Sequence, residues 1–451
     1  MSGPDLGAIA RDIAGAALPG EQLEAYVVHS RETEIKVFNG EVESLSVAEV
    51  AGIGVRVIAQ GRQGIAYAGT LDADVIAATL SDARDNASYG APDPGYGLAE
   101  PSDVDGIEPI VLDLWRDDVL GTSTAEKVAL AIATDRAVLA ADSRIRGVES
   151  TDYGDAAFEM AMAASTGVTA TQARTVCSVS STAMAGERDA TQTGSGFDVG
   201  RGFGDLVIER AASMAAERST RLLGATQPKT QRLPVVFDPM VTASVLSLIG
   251  AALNGEAVLK GRSMFADRLG ELVGASSVTI VDDPTNPSAF GASPVDGEGV
   301  PTRPTTLIRD GRLDGFLHNL YTARRTGAPT TGSAVRGYAS TPGVGARALH
   351  LLPGAKSAAE IMASVPEALY VQSVSGLHSG TNTVSGDFSV GAEGLMVRDG
   401  QFAEPVREIT VASTLQRMLL DVLEIGSDLT WLPGSTAGLT LLVADMTMAG
   451  A

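Results

Sequence analysis

Three dipeptides constrain the fold of this chain more than any other feature. Asn39-Gly40, Asp310-Gly311 and Asp399-Gly400 each mark a tight hairpin, because both central residues of such a turn need positive φ. Before the first turn, Ala25–Ser30 and Thr33–Phe38 are apolar enough for strands. After it, Glu41–Glu49 sets Val42, Leu45 and Val47 among polar residues. Gly54–Ala59 and Gly64–Ala68 flank a further turn at Gln60–Gln63. Together these segments predict an antiparallel meander. A second meander is expected over Arg146–Arg188, rich in Thr, Ser, Val and Ala, with its turn at Ser165–Gly167.

Helical patterns separate these runs. They cover Asp5–Ala17, Asp72–Ser88 with Asp72 as the cap, Thr124–Ala141 capped by Ser123 or Thr124, and Asp205–Leu222. Gly90–Glu108 reads as a linker or long loop, and Gly224–Arg232 has no apolar run and separates the two halves. The second half opens with a strand at Leu233–Phe237 and a helix through Val241–Leu253. A short buried strand follows at Val278–Val281, then a loop, Asp282–Pro304, with five prolines. A loop of that length in a compact domain is usually functional or mobile. The last strand is expected near Gly438–Val443, and no repeat of fixed period is visible. The fold class is α+β. Antiparallel meanders with helices fill residues 1–223, in subregions of about 20–90 and 110–223, and a largely antiparallel, barrel-like β domain with helices fills 233–451.

Composition excludes several function classes. A chain of 451 residues is too long for one core, and its 44% apolar content excludes global disorder. Asp and Glu outnumber Lys and Arg by 55 to 33, a net charge of -22, which makes nucleic acid a poor partner. The single cysteine, Cys177, excludes an intrachain disulfide framework and fits a reducing compartment. No basic-then-apolar leader opens the chain, and the longest apolar run, Val241–Leu253, is too short to span a bilayer. A soluble, cytoplasmic protein is expected.

Candidate chemistry is sparse. The four histidines, His29, His318, His350 and His378, show no metal-binding spacing. Cys177 sits in an alternating strand, Thr175–Val179, where a small buried residue is the ordinary reading. No G-x-S-x-G elbow occurs, and Gly52-x-Gly54 lies in a meander with no helix after it. The glycine-dense stretch Ser385–Gly394 has two readings. One is a tight turn capped by Asp387; the other is a strand edge that receives an extended peptide. On the second, Gly386, Asp387 and Phe388, with His378 nearby, are the substrate-binding candidates.

An ordered set of segments resembles the TldE (PmbA) branch of the TldD/PmbA metallopeptidase family. It comprises Gly250–Phe265, Asp282–Pro284, Ser293–Val300, Asp310–Leu317, Asn319–Gly327, Ser385–Gly394, Val397–Gly400 and Asp445–Gly450. The catalytic branch carries H-E-x-x-x-H on the helix before the K-G-x-S-x-F segment, here Lys260–Phe265. That register places the first His at Leu246, the Glu at Ser247 and the second His at Ala251. The cysteine-bearing turn of that branch falls near Gly434–Ala437, which has no Cys. The resemblance implies a non-catalytic subunit without a metal of its own, paired with a zinc-bearing TldD-like subunit around a chamber for small unfolded peptides. Alone, the chain is expected to form a homodimer. The alternative is a stand-alone homodimeric peptide-binding protein or a repurposed enzyme of the same fold; a metal-independent hydrolase is a remote third.

Overall fold

The structure is a computed structural model and describes residues 4–451. Helix α1 (Leu6–Ala14) is capped by Asp5, whose carboxylate accepts the Ala8 N–H. Strands β1 (Glu21–Phe38), β2 (Glu41–Ala59) and β3 (Arg62–Ala68) follow, then α2 (Ala73–Tyr89). The two strands expected over Ala25–Phe38 are one, because no Gly or Pro breaks the chain between them. Asp72 sits at the start of α2 but makes no capping bond with its side chain.

Two single-turn helices, α3 (Pro101–Val104) and α4 (Asp118–Gly121), lead into α5 (Thr124–Ala141). There Ser123 and Glu126 form a reciprocal capping box. Strands β4 (Ile145–Ala164), β5 (Thr169–Ala185) and β6 (Gln192–Gly200) and helix α6 (Ile208–Thr220) complete the first half.

The two expected meanders are one sheet. Its order is β3-β2-β1-β4-β5-β6, joined where β1 and β4 run antiparallel from Glu24↔Ala164 to Val37↔Thr151. Each half repeats helix, three strands, helix. In each, a glycine on the outer strand lets the following helix approach closely. A β-carbon on Gly64 would overlap the α2 backbone at Ala83 and Ala87, and one on Gly196 the α6 backbone at Ala211 and Ala215.

All four long helices cover one face of the sheet. Alternate residues of β5, among them Cys177, Val179 and Ala183, are buried against them, while Arg174, Val176, Ser178 and Ser180 point the other way. On that opposite face Tyr26, Val28, Met160 and Met162 pack on Val300 and Leu320 of the second half.

The second half begins with β7 (Gln231–Phe237), α7 (Pro239–Ala252) and α8 (Gly255–Leu259). A small sheet is formed by β8 (Ile280–Asp282), β9 (Thr305–Arg309), β10 (Arg312–Leu313) and, after α9 (Leu320–Thr326) and the two-residue ladder of β11 (Ala334–Val335) and β12 (Gly343–Val344), by β13 (Leu349–Leu351). Helix α10 (Ala358–Ala363), β14 (Glu367–Ser375), α11 (Leu377–Gly380), β15 (Asp387–Arg398), β16 (Gln401–Thr414), α12 (Leu415–Leu420) and β17 (Val422–Ile425) come next. The short β18 (Thr430–Trp431) and β19 (Ala437–Gly438) precede β20 (Leu441–Ala449), so the final strand lies a few residues later than expected.

Strands β7, β14, β15, β16 and β20 close into a five-stranded barrel, because β16 also pairs with β20 from Thr410↔Ala449 to Ala412↔Thr447. Only the β7–β14 contact is parallel. Val235, Phe237, Leu369, Val371 and Val443 join the main core, while Val236, Tyr370 and Leu442 face outward onto Ile361 and Val365. At the three turns expected from sequence both central residues have positive φ: Asn39 53° and Gly40 75°, Asp310 48° and Gly311 77°, Asp399 48° and Gly400 78°.

The long loop Asp282–Pro304 is packed into the protein rather than draped over it. Asp296 accepts the N–H groups of Glu298, Val300 and Ala334, at 2.8, 3.0 and 3.0 Å. Glu298 accepts the Leu320 N–H at 2.9 Å. Two buried carboxylates thus satisfy backbone donors that a loop in the interior would otherwise leave unpaired.

Candidate functional site

Helix α7 starts at a buried anchor. Asp238 caps it through the Met240 N–H at 2.9 Å. Its other oxygen accepts from Arg218 on α6 at 2.8 Å and from the Tyr370 hydroxyl at 2.6 Å. Arg218 also donates to the Gln372 carbonyl, so α6 of the first half is tied to β14 and α7 of the second. Burial, then the Asp238 carboxylate, raises the Tyr370 pKa and keeps it a proton donor.

From this anchor α7 runs beside a cleft. One wall is the sheet face opposite the helices; the other is α7, β14 and the turn at Leu432–Ser435. A cavity of about 500 Å³ lies between Ser180, Phe197, Met240, Ser244 and Leu432. A second, about 600 Å³, lies between Phe158, Arg174, Arg201, Arg347 and Gly434. Pro433 lines both, so the two cavities adjoin. The strand that leaves the turn, β19, touches the start of α7 closely: a β-carbon on Gly438 would overlap the Pro239 carbonyl. The helix and the turn that were paired by resemblance are therefore neighbours in space.

The three motif positions on α7 do not share a face. Leu246 is 1% exposed and belongs to the main core, whereas Ser247 and Ala251 are exposed. Five residues at 100° each put Leu246 and Ala251 about 140° apart around the helix. The side chains present do not fit zinc: two are hydrocarbon, one is a hydroxyl, and Gly434–Ala437 adds no thiol, imidazole or carboxylate. Among the described residues no group of three His, Cys, Asp or Glu is placed to hold a metal ion.

The histidines are scattered. His29 bonds Glu49 at 2.9 Å on the surface. His318 is buried against Thr322 Oγ1 at 3.1 Å, and burial lowers its pKa. His350 bonds the Ala348 carbonyl at 3.0 Å and stands edge-on to Trp431. His378 lies exposed on α11. Cys177 is fully buried and donates to the Gly202 carbonyl at 2.7 Å. Burial, followed by the charges of Asp205, Asp118 and Asp155, pushes its thiol up to about 12, so at neutral pH it is no nucleophile.

The segment Ser385–Gly394 lies apart from the cleft. Phe388 is 1% exposed and in the core, while Asp387 is at the surface and accepts from the Ser385 hydroxyl at 2.6 Å. The turn before it is held by Asn382, which accepts the Val384 and Ser385 N–H groups at 2.8 and 3.2 Å. Gly386 has φ 85°. Strand β15 pairs with β16, and from Gly391 onward also with β14, so little free edge remains. Leu377, next to His378, lines the cleft, as do Ser373 and Val374 of β14, which pair with Glu393 and Ala392.

Sequence reasoning did not find the cleft arginines or Arg218. An arginine inside the alternating strand at Arg174 was the one available signal, and without a partner in sequence it points nowhere.

Comparison with known proteins bears on the geometry directly. Residues 230–450 match the PmbA/TldA metallopeptidase C-terminal domain, 23–87 match its domain 1, and 117–223 its central domain. The chain belongs to the PmbA/TldD metallopeptidase family. It is 28% identical to the metalloprotease PmbA of Escherichia coli O157:H7 over 434 residues, covering 96% of this chain and 93% of that one. It is 27% identical to the metalloprotease TldD homolog of Haemophilus influenzae, over 80% of this chain and 76% of that one. The crystal structure of TldE from Thermococcus kodakarensis superposes with a TM-score of 0.87 at 21% identity, covering 95% and 97% of the two chains. At that identity the likeness shows the shared fold. Among the described residues no helix of this family member is long and apolar enough to cross a membrane.

Proposed function

We propose that the chain is a TldE-type, non-catalytic subunit of a cytoplasmic two-subunit metallopeptidase that acts on small unfolded peptides. Zinc is held by a TldD-like partner, and this chain forms part of the chamber wall. The observation that carries the reading is the surface of α7: Leu246 is packed in the core, Ser247 and Ala251 carry no ligating group, and the surrounding helix, turn and barrel are intact. A fold kept whole around a site without ligands points to assembly rather than hydrolysis.

The β1–β2 hairpin supports a partner. Strand β3 pairs only with Ile53–Ala59, so β2 from Glu41 to Gly52 has a free outer edge among the described residues. Phe38, Val42, Leu45 and Val47 are each 40 to 46% exposed there. Exposed apolar residues on an open strand edge are a surface that another chain covers.

The reading is tested by titration. A TldD-like chain at fixed amount, with this chain added, should show peptide cleavage that rises and saturates near equimolar. Replacing the partner's zinc-ligand histidines should abolish it. Cleavage that survives that replacement, or stoichiometric zinc in this chain alone with peptidase activity lost on chelation, overturns the proposal.

A further inference from the structure

The deeper part of the cleft holds three arginines without acidic partners. The side chain of Arg174 on β5 makes no hydrogen bond or ion pair among the described residues, and its guanidinium lies 5.3 Å from the Phe158 ring. Arg201, just past β6, donates to the Ala289 and Phe290 carbonyls and lies 5.4 Å from the Phe290 ring. Arg347 donates to the Ala334 carbonyl at 3.0 Å, and its Nε is buried with no acceptor. Their strongest charged influences are largely each other. Burial, then Arg347, lowers the Arg174 pKa. Burial, then Arg174 and Arg116, brings Arg201 down to about 10. Asp282 accepts the Arg347 main-chain N–H at 2.9 Å, and the Arg347 charge acts on both Asp282 and Asp296, but neither forms an ion pair with its guanidinium among the described residues. Glu32 is the one carboxylate of the lining and is exposed.

Acid is not scarce in a chain with 55 Asp and Glu against 33 Lys and Arg. Three guanidiniums without a carboxylate partner, Arg201 buried and Arg174 and Arg347 half-buried, around a cavity of about 600 Å³ therefore call for an anion from outside. The other walls, Phe158, Val199 and Phe290, are apolar and suit a chain rather than a bare inorganic ion. We infer that Arg174, Arg201 and Arg347 form a receptor for a peptide carboxylate at the Gly434 end of the cleft. Planar guanidiniums match a carboxylate with paired N–H donors, which a lysine does not. This rests on the peptide-handling function proposed above and adds what part of the peptide this chain holds. A C-terminal carboxylate and an Asp or Glu side chain present the same group, and the experiment separates them.

The intact chain is titrated calorimetrically with three acetylated alanine pentapeptides: the free acid, the C-terminal amide, and the amide with a central glutamate. At least one of the two acidic peptides should bind about tenfold or more tighter than the uncharged amide. Arg174→Gln should remove most of that preference, with the amide's affinity and the melting temperature not lowered. Arg174→Lys should restore part of it. The better of the two acids identifies the source of the carboxylate. Equal binding of all three peptides, or a preference untouched by Arg174→Gln, overturns the receptor while the peptide-handling function stands. Binding of none overturns the receptor, and the subunit function is then decided by the titration with the TldD-like chain.

Discussion

Buried and half-buried arginines of this protein live in two different electrical settings. At the junction of the two halves, Arg56 donates to Glu24 at 3.1 and 2.9 Å and reaches Glu298 at 3.4 Å, while Arg336 also pairs with Glu24. All four side chains are almost wholly buried. In the cleft, Arg174, Arg201 and Arg347 have carbonyls and aromatic rings but no carboxylate within ion-pair distance among the described residues. The first group consists of matched charges that hold β1 and β2 to the buried loop Asp282–Pro304. The second is left open toward a cavity. Charges matched by carboxylates inside the chain mark a structural joint, and charges with no carboxylate of their own are the basis of the receptor inferred above.

The comparison breaks most readily at the joint. Arg56→Met should leave Glu24 and Glu298 buried with too little positive charge, a loss of about 3–5 kcal/mol. It should appear as a large fall in the midpoint of denaturant unfolding. A shift below about 1 kcal/mol would show that the joint is not held by charge.

A smaller effect is expected from pH. Burial, then the nearby charges of Asp296 and Glu24, push the Glu298 carboxyl up to about 7. A carboxyl that is easier to protonate folded than unfolded contributes stability below its unfolded value, near 4.5, and that contribution is lost as pH rises toward 7. Glu24 runs the other way. Its charged neighbours Arg56 and Arg336 outweigh burial and lower its pKa, so its contribution is present above the unfolded value and lost as pH falls. Glu298→Gln isolates the first term. Relative to wild type, the variant should gain stability between about pH 4.5 and 7, by up to ~3 kcal/mol. Unfolding curves at several pH values check this, and a difference independent of pH would contradict it.

The smallest effect belongs to the cleft. Arg174→Gln breaks no hydrogen bond or ion pair and removes a like charge beside Arg347, so stability should change by less than about 0.5 kcal/mol or rise. Thermal unfolding measures it directly. A loss as large as that of Arg56→Met would erase the distinction between the two settings.

Local chemistry made much of the fold legible. Asn39-Gly40, Asp310-Gly311 and Asp399-Gly400 announce hairpins because positive φ at both positions is nearly a glycine and Asx property. Ser123 or Thr124 announces the start of α5 because a helix cap is a local preference, and the structure settles it as Ser123, with Glu126 completing a capping box. The joining of two meanders into one sheet was not legible, since the β1–β4 pairing brings together residues more than a hundred positions apart. The repeated helix-strand-helix plan was hidden for the same reason: it is a repeat of topology, not of residues. The loop Asp282–Pro304 read as functional or mobile because Pro, Gly and Asp favour irregular backbone. Its burial depends on Asp296 and Glu298 meeting backbone donors from Ala334 and Leu320.

The candidate site divides along the same line. Which residue types stand at Leu246, Ser247, Ala251 and Gly434–Ala437 is a matter of sequence, and so is the chemistry those side chains lack. The family membership, too, was visible in the ordered segments from Gly250 to Gly450. Helical phase alone separates Leu246 from Ala251, but only the tertiary structure decided which of them faces the core, that the Gly434 turn lies near α7, and that Phe388 belongs to the core. It also decided that Arg56 meets acids and Arg174 does not. Helical phase and turn geometry are short-range properties that a sequence carries within a few residues. The partner of a buried charge is set by how distant strands pack, and that information is distributed over the whole chain.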